Sequence, residues 1–229
     1  MVRLAGGAVT VRDLLGHTGG VDSPPDMFAD GPAELPDLFV GPVVPCGGVR
    51  GSFAYSNGGY AVLGQLVADV TGLAYAEAVT RLVLEPLAMD HSWFPASLPE
   101  TGVTRGHRLT DTGEFVPDPA RIFLVPAAGG LWSTAEDLVR FGQGWSTLLP
   151  AELADEAVRP RVAVAEAGTH AGLGWLLNAA KDVHGHAGGG PGAATSLIIR
   201  PAEGRTSVAH TNRLIPIEPI NARLIRPIT

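Results

Sequence analysis

The stretch Tyr55-Ser56-Asn57-Gly58-Gly59-Tyr60-Ala61-Val62-Leu63-Gly64 joins a polar turn to an apolar run. Asn57 is suited to cap a helix in which Tyr60, Leu63, Val67 and Val70 recur every three to four residues, and Gly72 supplies a left-handed stop. Tyr55 and Asn57 stand two apart, so in extended backbone a phenol and an amide point to one side. Two polar side chains can thus converge on a ligand at this helix start.

Toward the N-terminus, Thr10 and Asp13 have capping-box spacing ahead of Leu14 and Leu15, which predicts a short helix stopping at Gly16. From His17 to Ser52 the chain carries Pro24, Pro25, Pro32, Pro36, Pro42 and Pro45, the composition of a long irregular excursion. Toward the C-terminus, a second helix is expected over about Tyr75 to Leu84, ending before Pro86. Asp90 to Arg121 reads as loop and weak strand. Ser133, with Glu136 three residues on, opens a third helix with Leu138, Phe141 and Trp145 on one face.

After Gly168 the pattern changes to short β-rich runs: Leu173 to Leu177, Val183 to Ala187, Thr195 to Arg200 and Ser207 to Thr211. Pro201 to Gly204 forms the turn of an antiparallel hairpin between the last two, and a weakly helical tail covers Ile220 to Arg226. Helices followed by strands give an α+β class. The expected organisation is one partial domain over 1–229, mainly helical with long loops over 1–167, with antiparallel strands and a terminal helix over 168–229.

Apolar residues at 45% and charged residues at 17% exclude intrinsic disorder. The net charge is −7 and no basic run occurs, so nucleic acid is not an expected partner. The 16 basic residues include one lysine, Lys181, between Ala180 and Asp182, which rules out a Gly-x-x-x-x-Gly-Lys-Ser/Thr phosphate loop. The lone Cys46 forms no internal disulfide and has no zinc-ligand neighbours. His184 and His186 alternate onto one strand face, yet two histidines without an acidic partner do not make a metal site, so no metal or cofactor is expected. The apolar region from Tyr60 to Leu84 is interrupted by Gln65, Asp69, Glu77 and Arg81, so no membrane segment is read. No signal peptide is read either, and a cytoplasmic product follows only if the chain is complete as given.

Three segments together are more specific than any alone: Leu14-Leu15-Gly16-His17-Thr18-Gly19-Gly20, Tyr55-Ser56-Asn57-Gly58-Gly59-Tyr60, and Gly185-His186-Ala187-Gly188-Gly189-Gly190-Pro191-Gly192. With Glu85-Pro-Leu-Ala-Met89, Gly130 to Leu138, Gly172-Leu-Gly-Trp175 and Thr211-Asn212, the chain resembles the serine β-lactamase and penicillin-binding-protein superfamily, the branch of class C β-lactamases, D-Ala-D-Ala carboxypeptidases and related esterases. The resemblance implies a β-lactamase/transpeptidase-like fold and acyl-enzyme hydrolysis. It makes Tyr55 the general base, Asn57 the ligand of the substrate amide, and His186 the counterpart of the lysine in the family's Lys-Thr-Gly strand motif. It also makes Gly188 and Gly189 the strand edge that pairs with substrate, with a backbone N–H near Gly189 as half of an oxyanion hole. His17 resembles a family loop histidine of structural role. Ala187 departs from the pattern by lacking a hydroxyl, which favours esters or amides over acidic substrates.

The family nucleophile, the serine of Ser-x-x-Lys, does not occur: the only lysine has Asn178 three residues before it. Gly-x-Ser-x-Gly is likewise absent around all nine serines. The expectation is therefore a C-terminal portion of a serine hydrolase, inactive alone, because loss of a nucleophile costs on the order of a million-fold in turnover. Its expected partners are a small-molecule or peptide substrate and either a complementing N-terminal segment or a second copy. The alternatives are a catalytically dead substrate-binding module, one half of a two-chain enzyme, and a scaffold acting through the Pro-rich loop from Ser23 to Pro45.

Overall fold

The computed structural model describes residues 9–23, 27–29, 50–165 and 168–224. Cys46, nearly all of the Pro-rich excursion and the tail beyond Leu224 lie outside the described residues. Six α-helices are described: α1 (Val11–Leu15), α2 (Asn57–Thr71), α3 (Tyr75–Val79), α4 (Ala135–Gly144), α5 (Ala151–Ala157) and α6 (Glu218–Leu224). Two short pairs, β1 (Phe28–Ala29) with β4 (Ile122–Phe123) and β2 (His107–Leu109) with β3 (Phe115–Pro117), flank a larger sheet. That sheet contains β5 (Val162–Ala163), β6 (His170–Ala171), β7 (Leu176–Asn178), β8 (Val183–Gly190), β9 (Ala193–Arg200) and β10 (Arg205–Thr211). It is antiparallel throughout, in the order β10-β9-β8-β7-β6-β5. The class is α+β, as expected.

Helix starts follow the chemistry of the sequence with one-residue shifts. Thr10 and Asp13 make the capping box of α1. The cap of α2 is Ser56, not Asn57: Ser56 is extended, and its Oγ accepts the Gly59 N–H at 2.9 Å. Asn57 is already helical and donates its N–H to Ser23 Oγ at 2.9 Å. The cap of α4 is Thr134 with Asp137, one residue beyond the Ser133 and Glu136 pair. The shift is explained by Asp137, which is fully buried and accepts from the His91 N–H and from Ser92 Oγ while pairing with Arg140, each at 2.8 Å. Gly72 ends α2 at φ 68. A π-helical turn, Thr80–Leu84, continues α3 to the bend before Pro86. Helix α5 was not anticipated, although Ala151 to Ala157 is made of good helix formers following Pro150.

Burial sorts the expected faces. Leu63 is buried with Leu14 and Val21, and Tyr60 packs against them, but Val70, in the last turn of α2, is 78% exposed. Phe141 and Trp145 pack on a cluster of Ala157, Trp175, Leu177, Leu197 and Ile199 between the helices and the sheet. The buried leucine and isoleucine side chains of this cluster contribute about 1.5–3 kcal/mol each. The expected strand over Leu173 to Leu177 is shorter and later. Gly174 turns at φ 82, and only Leu176–Asn178 pairs with β8, opposite Val183, His184 and Gly185. From His186 onward β8 has no strand partner on that side among the described residues, and the Tyr55 ring, just before α2, lies near it. Among the described residues no single helix is long and apolar enough to cross a membrane.

Candidate active site

Two backbone segments meet at the start of α2. The loop after α1 places His17 at φ 56, where its carbonyl accepts the Ala54 N–H at 2.8 Å and its Nδ1 accepts the Ser56 N–H at 3.0 Å. Ser56 Oγ in turn hydrogen bonds the Val21 carbonyl. Tyr55 is held between these anchors. Its ring stacks on His17 at 4.4 Å between centroids, and His17 stacks on Tyr60 at 5.0 Å. Tyr60 is fixed by its hydroxyl, which donates to the Leu15 carbonyl at 3.1 Å.

The far wall comes from the sheet. The run of β8 beyond its pairing with β7 brings the His186 ring to 6.1 Å from Tyr55, and His186 Nδ1 lies 2.6 Å from the Ala187 carbonyl. His17, Tyr55, Tyr60, Ala127, Ala128, Gly174 and His186 enclose a cavity of about 190 Å³. Among the described residues no charged side chain lines it. Its electrostatics are therefore set by burial: His17 is held down at about 4, first by desolvation and then by His186. Burial lowers the His186 imidazole as well, with the Ala187 contact opposing it. Both rings are neutral at pH 7. Burial against its neighbours pushes the Tyr55 phenol up from 10, although half of the side chain is exposed, and its hydroxyl has no hydrogen-bonding partner among the described residues.

The fold thus brings Tyr55 and His186 together from distant parts of the sequence. Asn57 sits in the first turn of α2, partly buried, and does not line this cavity. Gly188 and Gly189 lie further along β8 and border a second hollow of about 270 Å³ with Ala187, Leu214 and Ile217. His184 does not share a polar site with His186. It lies edge-on to Trp145 and Trp175 in the core, at 5.8 and 5.0 Å. Among the described residues no group of three or more His, Cys, Asp or Glu converges as metal ligands would. Two wall residues are not placed in the site by the sequence: Tyr60 belongs to the apolar face of its helix, and His17 has only the structural role that the family resemblance implies, with nothing local to show that its ring reaches Tyr55.

Comparison with known proteins supplies the family. The chain is similar to penicillin-binding protein 4 of Amycolatopsis lactamdurans, 28% identical over 158 residues that cover 59% of this chain and 37% of that protein. It spans about a third of the length of the curated relatives it matches. Among solved structures it is similar in fold to a penicillin binding protein from Bacillus halodurans, with a TM-score of 0.76 at 23% identity over 94% of this chain and 71% of that one. A D-stereospecific amidohydrolase from Streptomyces sp. gives a TM-score of 0.73 at 22% identity over 92% and 71%. The sequence model of the beta-lactamase family matches residues 2–228, and the chain, with its α+β fold and its Tyr55 and His186 cavity, belongs to that family.

Proposed function

We propose that this chain carries the substrate cleft of a β-lactamase-like serine hydrolase whose acyl nucleophile is a Ser-x-x-Lys serine outside these 229 residues. In this reading Tyr55 moves the proton of the reacting serine and leaving group and His186 orients the substrate, while Asn57, which lies outside this cavity, meets the part of the substrate that extends beyond it. The strand edge at Gly188 and Gly189 pairs with it, and an N–H at Gly189 holds half of the oxyanion. The substrate is an uncharged ester, amide or peptide, because Ala187 offers no hydroxyl to an acidic group.

The observation that carries this reading is the convergence of Tyr55 and His186 on one cavity from segments far apart in sequence. The raised Tyr55 phenol supports the need for a further cation: a phenol above 10 is a poor base at neutral pH until positive charge favours the phenolate. A lysine one helical turn from the serine would provide that charge. Lys181, the only lysine of this chain, sits at the turn before β8 and does not line the cavity.

Two measurements test the reading. The chain alone is expected to leave p-nitrophenyl butyrate and nitrocefin intact and to take no label from a fluorophosphonate probe. Supplying in trans a family N-terminal segment that contains Ser-x-x-Lys is expected to restore labelling on the added serine, and Tyr55→Phe to remove it. Labelling of any serine within residues 1–229 would sink the proposal.

A further inference from the structure

The two histidines of the cavity spend the same ring nitrogen in opposite ways. A backbone N–H only donates, so His17 Nδ1, 3.0 Å from the Ser56 nitrogen, is an acceptor and the neutral ring carries its proton on Nε2. A carbonyl only accepts, so His186 Nδ1, 2.6 Å from the Ala187 oxygen, carries the proton and leaves a lone pair on Nε2. Neither Nε2 has a hydrogen-bonding partner among the described residues, and both rings line the cavity. We infer that His17 and His186 face the ligand as a donor and acceptor pair, which selects a carboxamide over an ester or carboxylate of the same shape.

The selection follows from valence. A carboxamide offers a carbonyl to His17 Nε2–H and an N–H to the His186 lone pair. An ester satisfies the first and leaves the second unpaired. A carboxylate sets its own lone pairs against that of His186. Leaving one buried polar group unpaired costs about tenfold or more in binding. Among the described residues the titratable groups facing His186 are Tyr55, Tyr60 and His17, and no carboxylate, guanidinium or ammonium lines the wall. Protonation of His186 reverses the pattern, because both histidines then donate.

The inference rests on the reading of this cavity as the substrate site, but its test needs no turnover. Benzamide, methyl benzoate and benzoate, which share a benzoyl group and differ in what is attached to it, are titrated into the ¹⁵N-histidine-labelled chain at pH 7.5 and followed by NMR. The unliganded chain is expected to show Nε2 protonated in His17 and unprotonated in His186. Benzamide is expected to shift both signals and to bind about tenfold more tightly than the other two. On acidification, as the His186 signal reports proton uptake, benzoate should gain and benzamide lose. The opposite tautomer in either ring, or equal binding of the three probes, overturns the inference. The distinct failure of the hydrolase reading is a completed enzyme that does not react even though benzamide still binds.

Discussion

Replacing Gly58 with alanine is expected to destabilise the protein by about 3 kcal/mol, while the same change at the adjacent Gly59 shifts stability by less than about 1 kcal/mol. Both glycines lie buried in the first turn of α2, so helix propensity favours alanine equally at each. Their surroundings differ. A methyl at position 58 would stand 1.8 Å from the Asp22 carbonyl oxygen and 2.8 Å from its carbon, both backbone atoms that no rotamer change can clear. At position 59 the nearest atom is the end of the Leu14 side chain at 3.5 Å, an ordinary contact. The segment from Val21 to Ser23 must therefore lift off α2 in Gly58→Ala. It would take with it the bonds from Ser56 Oγ to Val21 and from Asn57 to Ser23, and would expose Val21, now 3% accessible. Urea denaturation of both variants checks this, and a loss of under 1 kcal/mol in Gly58→Ala would show that the segment does not sit on the helix as described. In temperature the expected loss is about 6–12 °C.

That contact also shows where sequence reading stops. The helix starting near Tyr55 was legible because Ser, Asn and Gly precede an apolar repeat, and its end was legible in Gly72. The two glycines look alike in sequence, and only the path of residues 21–23 over the helix separates them. The last hairpin was legible from Pro201 and Gly204, and its register, Arg205 opposite Arg200, follows from the turn. The late start of β7 was not, since what delays it is the left-handed Gly174 and its contact with the Leu15 carbonyl, which accepts the Gly174 N–H at 3.1 Å. Tyr55 and His186, which share one cavity, are legible because each stands in a distinctive local pattern. Asn57 was grouped with Tyr55 from their spacing, but the chain turns helical between them, and the cavity is finished instead by Tyr60, one turn further along α2. His17 was the hardest to read: a left-handed histidine after a short helix carries no local sign that two tyrosine rings close on it.

His17 gives the second large expected effect, a loss of stability on mild acidification. Its ordinary value of 6.5 in the unfolded chain falls to about 4 in the folded protein, chiefly through desolvation. A depressed folded value means that the unfolded chain binds the proton first. The contribution is therefore complete above about pH 6.5, is lost as the pH falls toward 4, and changes no further below that. The side chain is 7% exposed, so solvent screening is slight, and the loss by pH 4.5 is roughly 2–3 kcal/mol from this residue alone. The structural cause is specific: Nδ1 accepts the Ser56 N–H, and a protonated Nδ1 cannot. Burial also lowers His184, His186 and His210, which add slope of the same sign, so the share of His17 is read as a difference. His17→Asn supplies a carbonyl oxygen near Nδ1, tolerates the left-handed backbone and does not titrate. Its denaturation midpoint should fall less between pH 7.5 and 4.5 than that of the parent chain, by about 2–3 kcal/mol in unfolding free energy. Parallel losses in the two proteins would mean that His17 is not the neutral acceptor holding Ser56, and the tautomer pair across the cavity would fall with it.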